Sequence, residues 1–101
     1  MASRLELQQC LEGLLGSRHV YFDPPSNIRI QYPAIIYTYS RMDPVRAENS
    51  LYYLKTAYDI TLIDQNPETD VVRKLLGFPY CSYDRSYVSE NLHHFTFTLY
   101  W

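Results

Sequence analysis

The strongest constraint on this chain is the alternation in its last eight residues, "HFTFTLYW". Phe95, Phe97, Leu99 and Trp101 fall on one side of an extended backbone, and His94, Thr96, Thr98 and Tyr100 on the other. Period two with aromatic and β-branched residues defines a half-buried strand. Such a strand needs neighbours in a sheet and a layer to cover its apolar face. The preceding "YCSYDRSYVSENL" supplies a neighbour, as the other arm of a closing hairpin.

The covering layer is legible in two places. "SRLELQQCLEGLLG" places Leu7, Cys10, Leu11, Leu14 and Leu15 on one helical face. Ser3 and Glu6 form a capping box at its start, and Gly16 suits its end. "QNPETDVVRKLLGFPY" predicts a second helix, with Asn66 as N-cap and Pro67 at the first helical position. Glu68 and Asp70 suit its positive end, and Arg73 and Lys74 its negative end. Val71, Val72, Leu75 and Leu76 form its apolar face, and Gly77 and Pro79 stop it.

Between the helices lie three more extended segments. Val20 to Phe22 reads as a short strand, ended by the Asp23-Pro24-Pro25-Ser26-Asn27 break. Ile28, Ile30 and Tyr32 give a weak extended signal. "AIIYTYSRM" is a strand with Ile35, Tyr37 and Tyr39 on one face and Ile36 and Thr38 on the other. "LYYLKTAYDITLID" is a second long strand, with Tyr58, Ile60 and Leu62 facing one way. Arg41 to Ser50 reads as a loop between the two. The expected fold is α+β: one domain over residues 1–101, with a mostly antiparallel sheet of four to five strands and two helices packed on one face.

Composition narrows the function classes. Hydrophobic residues are 47% and charged residues 20%, a globular balance. The formal charge of −2 argues against a free-standing electrostatic binder of nucleic acid. "MASRLELQQC" has no apolar run suited to secretion, and no stretch reaches transmembrane length, so a cytoplasm-like compartment and no membrane are expected. Cys10 and Cys81 have mostly apolar or aromatic neighbours and read as buried free thiols, with a disulfide or a reactive thiol as the alternative. Tyrosine is abundant, at 11 residues. It suits subunit interfaces, and it equally suits ordinary strands.

No candidate chemistry has the spacing of an active site. His93 and His94 are adjacent on a strand and point to opposite faces, so one metal cannot easily take both. Nothing orients a Cys81–histidine pair. Asp59, Asp64, Glu68 and Asp70 have strand-end and helix-dipole roles. "GLLGS" lacks the lysine and spacing of a phosphate loop. The expectation is a protein with no catalytic residues, metal or cofactor.

The loop Arg41–Ser50 is long for a compact domain, and such loops are often functional. It reads either as a solvated hairpin tip or as an arm that orders on a neighbouring subunit or lines a ring's hole. Arg41, Met42 and Arg46 lie in it, and Tyr37, Tyr39, Tyr52 and Tyr53 flank it. These seven residues are the expected subunit-interface or lumen residues. A second use of the tyrosines is base stacking in a small nucleic-acid-binding protein, but the basic groove that should accompany it is missing.

Two segments, "YDITLIDQNPETDVVRKLL" and "YCSYDRSYVSENLHHFTFTLY", carry a family resemblance. The shared features are a strand ending in Asp64-Gln65-Asn66-Pro67, a short helix, the Pro79–Tyr87 run "PYCSYDRSY", and the final "HFTFTLY" strand. As a set they resemble the tail terminator, or tail completion, proteins of tailed phages. The resemblance covers the C-terminal half well and the N-terminal helix and "YPAIIY" strand more loosely. It implies a virion protein, assembled in the host bacterial cytoplasm, that forms a ring, commonly a hexamer. Its partners would be other copies of itself, the tail tube protein and the head connector, with genome DNA passing through the hole without sequence-specific binding. A head-closure or neck-adaptor protein is the alternative within phage assembly.

Overall fold

The computed structural model describes the backbone of residues 4–47 and 50–101 and the side chains of residues 4–40 and 56–101. The chain forms α1 (Arg4–Leu15), β1 (Val20–Phe22), β2 (Ala34–Ala47), β3 (Ser50–Asp64), α2 (Val71–Leu76), β4 (Cys81–Ser89) and β5 (Leu92–Tyr100). The five strands make one sheet in the order β1-β2-β3-β5-β4. β1 pairs parallel to β2, and the other three pairings are antiparallel. The fold is α+β with two helices, as the residue pattern predicts.

Register explains the core. Phe22, Tyr37, Ile60, Phe97 and Tyr83 stand opposite one another in a row that crosses all five strands. The flanking rows are Val20–Ile35–Leu62–Phe95 and Tyr39–Tyr58–Leu99–Cys81. Leu7 and Leu11 of α1 and Val71 and Leu75 of α2 cover this face and complete one buried cluster. The opposite face is lined in its middle by Thr38, Asp59 and Thr98, and by Ile36, Thr61 and Thr96. Gly16 ends α1 in the left-handed region at φ 83°, where only glycine avoids strain, and its N–H returns to the Glu12 carbonyl at 2.9 Å. Glu90 and Asn91, both at positive φ, make the two-residue turn between β4 and β5.

Several expectations change. Of the expected loop Arg41–Ser50, Arg41–Ala47 and Ser50 are strand, and Glu48 and Asn49 lie outside the described residues. β2 continues to Ala47, β3 begins at Ser50, and the two pair from Arg41↔Ala57 to Ala47↔Ser50, with register shifts at Tyr39/Arg41 and Val45/Arg46. Pro44 is tolerated there because β2 has no partner on its outer side beyond β1, and a strand edge needs no donor. β5 meets β3 only from Ala57 onward. Residues 41–47 and 50–56 therefore form a two-stranded ribbon beyond the part of the sheet that β5 reaches, and the described molecule measures 51 × 27 × 23 Å.

The second helix starts at Val71, not at Pro67. Side chains capture the upstream backbone donors: Asp64 Oδ1 accepts from the Asn66 N–H at 3.0 Å, Asn66 Oδ1 from Glu68 at 2.9 Å and Thr69 Oγ1 from Val71 at 3.3 Å. Those bonds hold turns in place of a helical first turn. Leu76, expected on the buried face, is exposed on so short a helix. Cys10 is exposed rather than buried, and Cys81 is half-buried. Residues 24–33 carry no strand, so the weak signal at Ile28–Tyr32 does not become one. Ser3 lies outside the described residues.

Candidate assembly surface

The seven expected interface residues separate. Tyr37 is fully buried, so its side chain belongs to the core and offers no surface to a neighbour. Alternation places Ile35, Tyr37 and Tyr39 together correctly, but this is the face that the helices cover. Tyr39, one pair further out, is 47% exposed. The side chains of Arg41, Met42, Arg46, Tyr52 and Tyr53 lie outside the described ones; their backbone belongs to the ribbon, in β2 and β3.

An aromatic cluster anchors the root of that ribbon. Phe22 meets Tyr37 at 5.0 Å between ring centroids and Tyr39, edge-on, at 5.2 Å. Tyr58 stacks on Tyr39 at 5.2 Å and lies 5.8 Å from Tyr37. The Tyr37 hydroxyl donates to Gln8 Oε1 and accepts from Arg4 Nη1 at 3.2 Å. Gln8 Nε2 in turn donates to Glu12 Oε2 at 3.0 Å and to the Val20 carbonyl at 2.9 Å. The Arg4 guanidinium also lies 4.3 Å from the Phe22 ring centroid. α1 is thus tied by polar bonds to β1 and β2 beneath it. Burial pushes the Tyr37 phenol up, and burial followed by the neighbouring Tyr39 phenol pushes Tyr58 up to about 12.

The second surface is β4. No strand of the described sheet pairs with its outer side. Eight of its nine residues are exposed, so both faces of the strand meet solvent. Tyr83, Tyr87 and Val88 show large apolar area there, and Tyr80 just before them is 81% exposed. A register shift between Tyr83 and Arg85 marks a bulge at Asp84. Thr96 Oγ1 holds that bulge, accepting from the Arg85 N–H at 3.2 Å and donating to the Arg85 carbonyl at 3.1 Å. Thr98 Oγ1 donates to Asp84 Oδ2 at 2.8 Å. Beyond the bulge, Tyr87 stacks on His94 at 4.7 Å, and the Arg85 guanidinium sits 5.4 Å from the Tyr87 ring centroid. The exposed edge was not singled out in the sequence. Its signal was available: "SYVS" carries no charge and no proline, the usual protections of an edge.

Register sets Asp64 opposite His93 but keeps the Cys81–histidine pair weighed for catalysis apart in the closing hairpin. Cys81 pairs with Leu99 at one end of the β4–β5 hairpin and Val88 with His93 at the other, about 20 Å along the strand by its rise. Among the described residues, no group of three or more His, Cys, Asp and Glu side chains is placed to hold a metal ion. No described helix is long and apolar enough to cross a membrane. No protein-family model matches the chain, and no curated protein matches it.

Proposed function

We propose that this protein is a structural subunit of a phage tail, a tail terminator that assembles into a ring at the head-proximal end of the tail tube. The ring stops tube growth, offers a docking face to the head connector and lets genome DNA through its hole. It is a virion component built from copies of one chain, and its work is contact rather than catalysis.

The observation that carries this reading is the ribbon. A two-stranded antiparallel ribbon is marginal in water by itself and gains stability from a further strand or a packed surface. Here it projects from a body that has a buried cluster of its own. An arm of this kind suits heterologous contact, in which one edge of each subunit meets a different edge of the next and rotation closes the circle. The exposed tyrosines at Tyr39, Tyr83 and Tyr87 supply rigid, amphipathic area for such contacts. The C-terminal resemblance to tail terminators supports this choice of assembly.

The test uses purified, elongation-competent siphophage tail tubes and negative-stain electron microscopy. Adding the protein should leave tubes with a ring at one end and halt their growth. Tubes that keep growing uncapped at saturating protein would refute the terminator role. Rings that bind the head-side connector and ignore the tube would make it a neck adaptor.

A further inference from the structure

We infer that the assembly contact is a strand addition: the ribbon of one copy, through the open edge of β3 at Ser50–Lys55, pairs antiparallel with β4 of a second copy along Arg85–Ser89. This inference rests on the self-association in the reading above and names both halves of the contact.

The ribbon has two edges, and they differ. On the β2 side, Pro44 removes a donor, and the sequence brings Arg41, Asp43 and Arg46 to the same stretch, the proline and charges with which natural edges resist pairing. The β3 side has no such protection. Ser50, Leu51, Tyr52, Tyr53 and Leu54 include no proline and no charge, and the first charge is Lys55. The next residue, Thr56, is already engaged, because its carbonyl accepts from the Trp101 N–H at 3.0 Å. Ser50–Lys55 is therefore a run of backbone donors and acceptors on which β5 does not pair.

β4 is the matching acceptor. Its first part is interrupted by the bulge at Asp84, which turns an edge away from pairing. Its second part, Arg85–Ser89, is regular in register with β5 from Arg85↔Thr96 to Ser89↔Leu92. Past Arg85 it carries no charge, and Val88 is 62% exposed. A regularly paired stretch of similar length to the β3 edge thus lies at the edge of the sheet on the same chain. Each of these two features is a liability alone, since unprotected edges invite pairing. One contact between copies removes both, and because donor and acceptor are different surfaces, repetition builds a closed ring or a filament. Added strands are held mainly by main-chain hydrogen bonds, so the pairing does not depend on a particular side-chain pocket.

The test has two arms. In the first, Ser86→Lys and Val88→Lys are introduced together on β4. The concentration at which half the protein is assembled, read by sedimentation velocity, should rise at least tenfold, while the melting temperature of the isolated subunit stays within about 2 °C. In the second, Cys10→Ser and Cys81→Ala provide a cysteine-free background. One batch carries Tyr87→Cys, and others carry single cysteines at positions 51 to 55. Mixed and oxidised, they should give disulfide-linked dimers containing one of each, at alternate ribbon positions, as strand pairing requires. Undiminished assembly of the β4 lysine variant, or an assembled mixture in which no ribbon position links to β4, overturns this pairing. In that case capping of tail tubes is unaffected and the proposed function stands. A wild-type protein that neither self-associates nor caps tubes defeats both.

Discussion

Replacing Tyr37 by Phe removes one part-buried oxygen from between α1 and the sheet and isolates what that oxygen does. The Tyr37 hydroxyl joins both Gln8 and Arg4 of α1 to β2 below. Its loss takes away one neutral hydrogen bond, worth about 1 kcal/mol, and one with a guanidinium donor, worth about 1.5 to 3 kcal/mol. Arg4 keeps its place over the Phe22 ring, and Gln8 keeps its bonds to Glu12 and Val20, so part of the loss is recovered. A net cost of about 1 to 3 kcal/mol follows. In a domain of this size each kcal/mol lowers the melting temperature by about 4 to 8 °C. Tyr37→Ala adds a cavity where the Phe22 and Tyr58 rings meet, and at about 3 to 5 kcal/mol it brings the protein near unfolding. Tyr39→Ala removes a half-exposed ring from the same cluster and should leave the fold intact while weakening assembly. The assay is thermal melting by circular dichroism, with sedimentation on the folded variants. A Tyr37→Phe protein that melts within 1 °C of the parent would refute the buried-network account. A folded Tyr37→Ala protein deficient only in assembly would return Tyr37 to the interface.

Two further outcomes follow from the same structure. The folded-state pKa of Tyr58, near 12, lies above its ordinary value of 10.0, so its contribution to stability is complete below pH 10 and is lost as pH rises toward 12. Absorbance at 295 nm should show Tyr37 and Tyr58 ionising only as circular dichroism reports loss of the fold; their complete ionisation with the fold retained would contradict this. Exposed Cys10 should react with a thiol reagent in the native protein well before Cys81, whose thiol is held up by burial and then by Asp84; equal rates would contradict the placement of Cys81.

Much of the fold was legible because periodicity and burial agree. The Leu7–Leu11 stripe, the Gly16 stop and the Phe97–Leu99 face follow the residue pattern directly. The ribbon was hidden because its β2 arm has a loop's composition, with Arg41, Asp43, Pro44 and Arg46. An outer ribbon strand needs neither an apolar face nor a full set of donors, so alternation carries no signal there. The start of α2 was misplaced because Asn66 and Thr69 serve turns as readily as caps. Tyr37 was misassigned for a different reason. Alternation tells which residues share a face of β2, while the choice between the Ile35 face and the Ile36 face depends on helices from elsewhere in the chain. β1 joins parallel through only three residues, too few for any period.

The central claim is that copies of this chain join through their edges, and the most direct measurement is the mass of the particle in solution across a range of concentrations. Subunits of 12.0 kDa should associate into one closed species of defined stoichiometry, about 72 kDa if six copies close the ring, and the Ser86→Lys/Val88→Lys protein should return to the single-subunit mass. A species that stays at 12.0 kDa at every concentration, with and without tail tubes present, would contradict it.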